Sequence, residues 1–392
     1  MNQPRVLIVH NRYQLAGGED AVVDAEIELL RRNGHPVEAY LRDNHELGDM
    51  TALNAFAQSL WSRRSGDELA QIARQFRPDI IHAHNTFALV SPSIYWQAAR
   101  MGVPLVQTLH NFRLLCVQAM FLHDNKVCED CVGHLPWRGV TRRCYRDSGM
   151  QSAAVVAMLG MHRALGTYRH KITRYIALNE FCRQKFIEGG LPESRIAVKP
   201  NFVDIERSPL TEARHGGLYV GRLAPEKGIG VLVRAVCKLP RVTLDVIGTG
   251  PENDKLDEAG ARLNRLGWLH PQDIYHRMRR ASYLVMPSIW YENFPRTLLE
   301  AFANGLPVIA SRLGALRELI EHGRTGLLFE PGSPDDLARH LAWAEAFPEK
   351  MRAMGENARA VYEARFTPQQ NYECLMAIYD EAAAAVRLKV AV

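Results

Sequence analysis

The sequence predicts an α/β protein made of two Rossmann-like domains in tandem, and three observations predict it. Short apolar runs rich in β-branched residues alternate with helical periodicity through the first half of the chain. The same alternation restarts near residue 217, and glycines, histidines and charged residues fall just after the apolar runs. Such alternation builds a parallel sheet with helices on its faces, and ligands of such sheets sit beyond the carboxyl ends of the strands.

In the first half, Val6–Val9 reads as a strand followed by a helix over 19–33. Ile80–His82 is a strand followed by a helix over 92–101, Val103–Leu109 is a strand, and Tyr175–Leu178 is a strand followed by a helix over 180–189. The second half repeats the plan with Leu218–Val220, Val242–Ile247, Tyr283–Met286, Val308–Ala310 and Leu327–Phe329, each followed by a helical segment. Between the halves, Asn201–Gly217 lacks sustained periodicity, carries Pro209 and ends in Gly216-Gly217, which marks a linker. The expected plan is a first domain over 1–200 with a cysteine-bearing insertion at 112–149, a linker over 201–216, and a second domain over 217–365. A C-terminal helix over 366–392 can return to the first domain. Two domains so joined leave a ligand cleft between them.

Composition narrows the class. With 392 residues and 47% apolar content the chain can bury full cores. No run of 18 or more apolar residues suits a membrane span, and Met1 leads into Arg5–His10 without a signal-peptide pattern, so a cytoplasmic location is expected. Seven cysteines argue against a disulfide framework, and Cys182, Cys237 and Cys374, set among apolar neighbours, read as core residues. The net charge of +5 is uneven: residues 138–174 hold eight Lys or Arg against one acid, Asp147. Few aromatic residues are interleaved there for base stacking, which disfavours nucleic acid as a partner.

Three stretches of the second half carry chemistry. Gly221-Arg222-Leu223-Ala224-Pro225-Glu226-Lys227-Gly228 follows a strand, and Arg222 and Lys227 are placed to neutralise a diphosphate. Ile247–Glu252 ends a strand with Gly248 and Gly250 and is expected to open a helix at Pro251. Glu292–Glu300 follows the buried-looking strand Tyr283–Ser288, and Pro295 suits the first turn of a helix whose open N–H groups favour phosphate. Glu292 then sits on the loop and Glu300 more than one turn inside the helix, so the two carboxylates have different jobs and are not a metal-binding pair. A carboxylate accepts hydrogen bonds from vicinal sugar hydroxyls.

Glu292–Glu300 resembles the E-x7-E motif of glycosyltransferase family 4. The resemblance extends in order through GRLAPEKG (221–228), GTGPE (248–252), GLPVIAS (305–311), Gly314 with Glu318, and TGLLFEPGSPDDLA (325–338), so it covers most of 216–340. It implies the GT-B fold, two Rossmann-like domains facing each other across a cleft, with the donor in the second domain. It implies that Arg222 and Lys227 bind the donor diphosphate, Glu300 the ribose hydroxyls, and Glu292 the donor sugar near the reaction centre. The backbone of Asn293 and Phe294 lines the sugar and phosphate pocket, the turn around Gly221 and Gly248 approaches the donor, and Gly267-Trp268-Leu269 holds the base. Proline at 295 departs from the glycine common in the family, so any phosphate contact must come from its neighbours.

In the first half, Gly17-Gly18-Glu19-Asp20 precedes a helix, and the family has a similar glycine pair beside the donor phosphates and the acceptor. His110, at the end of Thr108-Leu109-His110-Asn111, resembles the family's cleft histidine that contacts the donor sugar. His82 and His84 alternate onto one side of the preceding strand and rank below it. The catalytic candidates are His110, Glu292, Arg222 and Lys227. The resemblance also implies retaining transfer by front-face substitution without a catalytic metal, and no Asp-x-Asp motif is present to hold one.

The insertion contains Cys116, Cys128, Cys131 and Cys144. Eleven residues separate Cys116 from Cys128 and twelve separate Cys131 from Cys144, a spacing compatible with a four-thiolate structural zinc. An iron–sulfur cluster, a redox pair and unconnected thiols are the other readings. The arginines that follow flank an apolar helix over 150–162, which could lie on an anionic inner-leaflet surface near a lipid-linked acceptor; a partly buried helix with solvated arginines is the competing reading. The expected activity is retaining transfer of a sugar from a UDP- or GDP-type donor to a glycan or lipid-linked acceptor, in surface polysaccharide or glycoconjugate synthesis. The alternatives are a same-fold epimerase or hydrolase, and a non-catalytic membrane-associated adapter.

Overall fold

A computed structural model describes residues 3–14, 17–206 and 214–390. The chain divides into two compact units, one of Met1–Met120, Glu129–Asn201 and Asn371–Val392, the other of Phe121–Cys128 and Phe202–Gln370. Much of the expected linker, 207–213, lies outside the described residues.

The strands are β1 (Val6–Arg12), β2 (Val37–Asp43), β3 (Ile80–Ala83), β4 (Leu105–Thr108), the hairpin β5 (Leu122–His123) and β6 (Lys126–Val127), β7 (Arg174–Ala177), β8 (Ile196–Val198), β9 (Gly217–Val220), β10 (Leu244–Ile247), β11 (Leu263–Gly267), β12 (Tyr283–Met286), β13 (Val308–Ser311) and β14 (Gly326–Phe329).

The first unit is built on a parallel sheet in the order β2-β1-β3-β4-β7-β8. Its central strands β3 and β4 are buried at every position, as a sheet covered on both faces requires. Helix Gly18–Arg32 carries Glu19 and Asp20 in its first turn and Arg31 and Arg32 in its last, which suits the helix dipole at both ends. The long C-terminal helix, Pro368–Val390, contributes Leu375, Ile378, Tyr379 and Ala382 to the core formed by Val6, Ile8, Ile80, Val106 and Ile176.

The second unit is built on a parallel sheet in the order β11-β10-β9-β12-β13-β14. Renumbered from its own first strand this is 3-2-1-4-5-6, the doubly wound order whose direction reverses between the first and fourth strands. The reversal falls between β9 and β12. In the first unit it falls between β1 and β3.

Three expectations need correction. No helix opens at Pro251: residues 251–252 form a turn, because Glu252 N donates to Leu223 O at 2.9 Å, and a 3₁₀ run follows over Asn253–Arg262, kinked at Gly260. Cys237 is exposed, since it is the last residue of helix Ile229–Cys237 and the neighbouring Val233 and Val236 take the buried face. Cys182 is buried as expected, and Cys374 is half-buried. Pro295 stands as the N-cap of helix Arg296–Ala303, one residue before its first turn.

Candidate functional site

In the second unit the loops after β9 and β12 flank the point where strand order reverses, where ligands of this sheet topology bind. Two glycines let the backbones close up there. Gly248 has φ +136°, and a Cβ on it would lie 1.9 Å from Gly221 O; Gly228 has φ +73°, and a Cβ would lie 1.9 Å from Pro287 O. Ile289 N donates to Glu226 O at 3.0 Å and ties the loop after β12 to the turn Pro225–Lys227.

Glu292 is 4% exposed at the tip of that loop. Its Oε1 accepts from Lys227 Nζ at 2.7 Å, Ser288 Oγ at 2.7 Å and Trp290 Nε1 at 3.0 Å. Three donors on one oxygen fix the carboxylate. Lys227 also lies over the Trp290 ring, 5.2 Å from its centroid. Arg222 pairs with Glu226, its side chain 61% exposed.

Glu300, one helix further on, is held by Arg296 Nε at 3.3 Å and Tyr275 OH at 3.5 Å from its Oε1. Burial raises its pKa above the ordinary carboxylate value, and Arg296 opposes the shift. Trp268 is exposed at 72%, and Leu269 beside it is half-buried. Phe294 is buried edge-on against Phe366, with ring centroids 5.8 Å apart. Asn293 is half-buried beside it.

In the first unit Gly17 is the N-cap of helix Gly18–Arg32, its N donating to Asp20 Oδ2 at 3.1 Å, and Gly18 is exposed. Glu19 accepts from Tyr13 OH at 2.8 Å and from Asn111 Nδ2 at 3.5 Å. Burial pushes its carboxyl up to about 6. His110 follows β4, half-buried, with Nε2 2.9 Å from His84 Nδ1. Burial and then the neighbouring His84 lower its pKa well below the usual histidine value.

Behind His84 lies a group that the sequence reading did not single out. Glu26, from the first helix, is 1% exposed; its Oε1 lies 3.0 Å from His82 Nδ1 and 3.4 Å from His84 Nε2. Lys199, just after β8, donates to Glu26 Oε2 at 3.0 Å and Asn371 Oδ1 at 3.2 Å. His10 pairs with Asp20 at 2.7 Å. A charged residue at the end of an apolar run, as at Lys199, was the only local signal.

In the insertion Cys116 is buried and Cys128, Cys131 and Cys144 are half-buried, all as thiols. Arg113 is sandwiched against Phe87 and Tyr145, 4.8 and 4.9 Å from their ring centroids.

Two parallel, doubly wound sheets, the second with cations and carboxylates gathered at its reversal point, define the GT-B class. Two family models match the chain: Glycosyltransferase Family 4 over residues 16–207 and Glycosyl transferases group 1 over 205–361, and the chain belongs to this glycosyltransferase family. Among curated relatives it is 29% identical over 348 residues to glycogen synthase of Mycobacterium tuberculosis, covering 83% of this chain and 75% of that one. It is 27% identical to D-inositol 3-phosphate glycosyltransferase of Streptomyces griseus, covering 72% of this chain and 62% of that one. It spans 58% of a glycosyltransferase of Methanocaldococcus jannaschii, at 29% identity over 51% of this chain. Among solved structures, HepE of Anabaena in complex with UDP matches with a TM-score of 0.66 at 22% identity, covering 95% of this chain and all of that one. Sucrose-phosphate synthase of Thermosynechococcus elongatus matches with a TM-score of 0.70 at 18% identity, covering 97% of this chain and 100% of that one.

Proposed function

We propose that this chain is a retaining glycosyltransferase that moves a hexosyl group from a UDP- or GDP-sugar onto a glycan or lipid-linked acceptor, in surface polysaccharide or glycoconjugate synthesis. The observation that carries it is Glu292, whose Oε1 is saturated by Lys227, Ser288 and Trp290, leaving Oε2 to accept from a donor-sugar hydroxyl. Lys227 and Arg222 then stand beside the diphosphate and stabilise the charge it gains as the glycosidic bond breaks. Glu300 takes the ribose hydroxyls, and Trp268 and Leu269 the base. The donor's own phosphate accepts the acceptor proton on the face it vacates. The UDP and UDP-glucose complexes of HepE support a uridine donor.

His110 and the Gly17-Gly18 turn serve the donor sugar and the acceptor from the first unit. The thiols of Cys116, Cys128, Cys131 and Cys144 are of the type a structural zinc takes, but among the described residues no three of them have their sulfurs within 4.8 Å of one another, so a zinc would have to draw them together. The insertion and the helix that follows it expose Leu135, Trp137, Met150 and Leu165 among arginines, which suits peripheral binding to an anionic inner leaflet. Among the described residues no helix is long and apolar enough to cross a membrane.

The test is a panel of UDP-, GDP- and ADP-sugars followed by thermal shift or ligand-observed NMR on wild type and Glu300→Ala. Binding of one nucleotide class, weakened in the variant, supports the reading. A folded protein that binds no donor overturns it.

A further inference from the structure

The hairpin β5–β6 is encoded within the cysteine-bearing insertion of the first half, yet it belongs to the second unit, where it meets the loop that carries Glu292. We propose that this hairpin clamps the donor-site loop, with Phe121 as a positioning residue that fixes Glu292 by packing against Tyr291. The kinetic consequence rests on the function proposed above; the clamp itself does not.

Leu122 pairs with Val127 and His123 with Lys126, and the turn residues Asp124 and Asn125 take φ +49° and +57°, the left-handed pair that a two-residue hairpin turn requires. Cys128 N donates to Phe121 O at 2.8 Å and closes the base. An isolated two-stranded hairpin is marginally stable at best in water, so this one needs a surface to pack on. Phe121 supplies the attachment. It is fully buried although its backbone sits at φ +51°, a conformation that a bulky residue keeps only where the surrounding contacts impose it. Its ring meets the Tyr291 ring edge-to-face, with centroids 6.1 Å apart and planes at 82°, the arrangement that aromatic pairs favour.

Tyr291 stands between Trp290 and Glu292 in the irregular stretch 287–295. Two of the three donors to Glu292 Oε1, Ser288 and Trp290, lie on that same stretch and move with it, so they orient the carboxylate without placing it. Placement comes from outside the stretch. Lys227 and the bond from Ile289 N to Glu226 O hold one side, and the Phe366 ring holds Phe294 on the other. Phe121 holds Tyr291, next to Glu292 itself. Loss of the Phe121 ring leaves a space behind Tyr291, and close-packed structure responds to such a space by shifting into it. A shift of about 1 Å in a group that orients substrate can slow a reaction roughly a hundredfold.

The experiment measures solvent exchange of the Trp290 indole proton by NMR on the full ¹⁵N-labelled chain, the signal assigned by its loss in Trp290→Phe. That proton is donated to Glu292 Oε1 at 3.0 Å, so its exchange reports the carboxylate's contact with no donor present. The indole proton of Trp343, in helix Pro334–Ala346 of the same unit, is the internal control. Phe121→Ala is expected to speed exchange at Trp290 roughly tenfold and to leave Trp343 unchanged. No change at Trp290, or equal acceleration at both, overturns the proposal. Should Phe121→Ala fail to fold, Tyr291→Leu carries the same test from the half-buried partner side. With a donor in hand, Phe121→Ala lowers kcat about tenfold to a hundredfold at little-changed donor KM. In a Glu292→Gln background the same substitution has little further effect, whereas in a Glu300→Ala background it keeps its full effect. Additive losses in both backgrounds overturn the proposal. Faster exchange at Trp290 with no donor binding overturns the proposed function and leaves the clamp standing.

Discussion

Lys227 Nζ lies 2.7 Å from Glu292 Oε1, although 65 residues separate them, and the contact joins the loops after β9 and β12 at the point where strand order reverses. Both charges stand where a nucleotide sugar's diphosphate and sugar meet in the proposed complex. Glu292→Gln keeps the shape and removes the charge. The expected outcome is a fall in kcat of roughly a hundredfold, in line with the loss of one preorganised charge contact, at little-changed donor KM. Steady-state kinetics on a variant with unaltered circular dichroism checks it, and an undiminished kcat would remove Glu292 from the reaction centre.

Glu300→Ala should weaken nucleotide binding about tenfold or more, since a hydrogen bond to a charged group contributes roughly 1.5–3 kcal/mol. Calorimetric titration with UDP and GDP measures it. Because burial raises the Glu300 pKa, wild-type affinity should start to fall, as the solution is acidified, at a higher pH than an ordinary carboxylate would give.

Glu19 gives a stability signature with a definite sign. Its carboxyl is raised from 4.5 to about 6, so the folded state holds that proton more tightly than the unfolded one. The stability this lends is present below pH 4.5 and is lost as pH rises through about 6. Relative to Glu19→Gln, wild-type melting temperature should decline across that window. Glu26, depressed below 4.5, has the opposite sign: its contribution is present above 4.5 and is lost as pH falls through the folded value.

The zinc reading makes a prediction of composition. Protein purified without added metal should contain roughly one zinc per chain, and chelation should lower its melting temperature, because a structural site contributes folding energy. Elemental analysis of wild type and Cys131→Ser decides it; equal, negligible zinc in both counts against the site.

Leu375→Ala, at a fully buried position of the C-terminal helix, should cost about 2–5 kcal/mol by urea unfolding. Leu388→Ala, at an exposed position of the same helix, should cost less than about 0.5 kcal/mol. Equal costs would show that the helix does not pack as described.

The fold was legible where burial is continuous. Most inner strands carry a short apolar run, so β1, β3, β4, β9, β12 and β13 stand out in the sequence, whereas the inner strand β10 carries Asp245 within its run. Three of the four edge strands, β2, β8 and β11, do not, because an edge strand is partly solvated or short: β2 reads Val-Glu-Ala-Tyr-Leu-Arg-Asp and shows neither a clean run nor a clean alternation. The helix misplaced at Pro251 reflects a tertiary bond, Glu252 N to Leu223 O, which no local pattern reports.

The sequence by itself determined the class of fold, the tandem arrangement of two such folds, and the candidate donor residues, because apolar periodicity and glycine-bearing strand ends are local and ordered along the chain. Only the tertiary structure decided which charges meet. Glu26 and Lys199 are 173 residues apart, and His82 and Tyr379 are 297 apart. A charged residue inside an apolar pattern reads locally as a defect; it becomes part of a buried network only when the chain returns with the opposite charge, since burial of one without the other costs several kcal/mol.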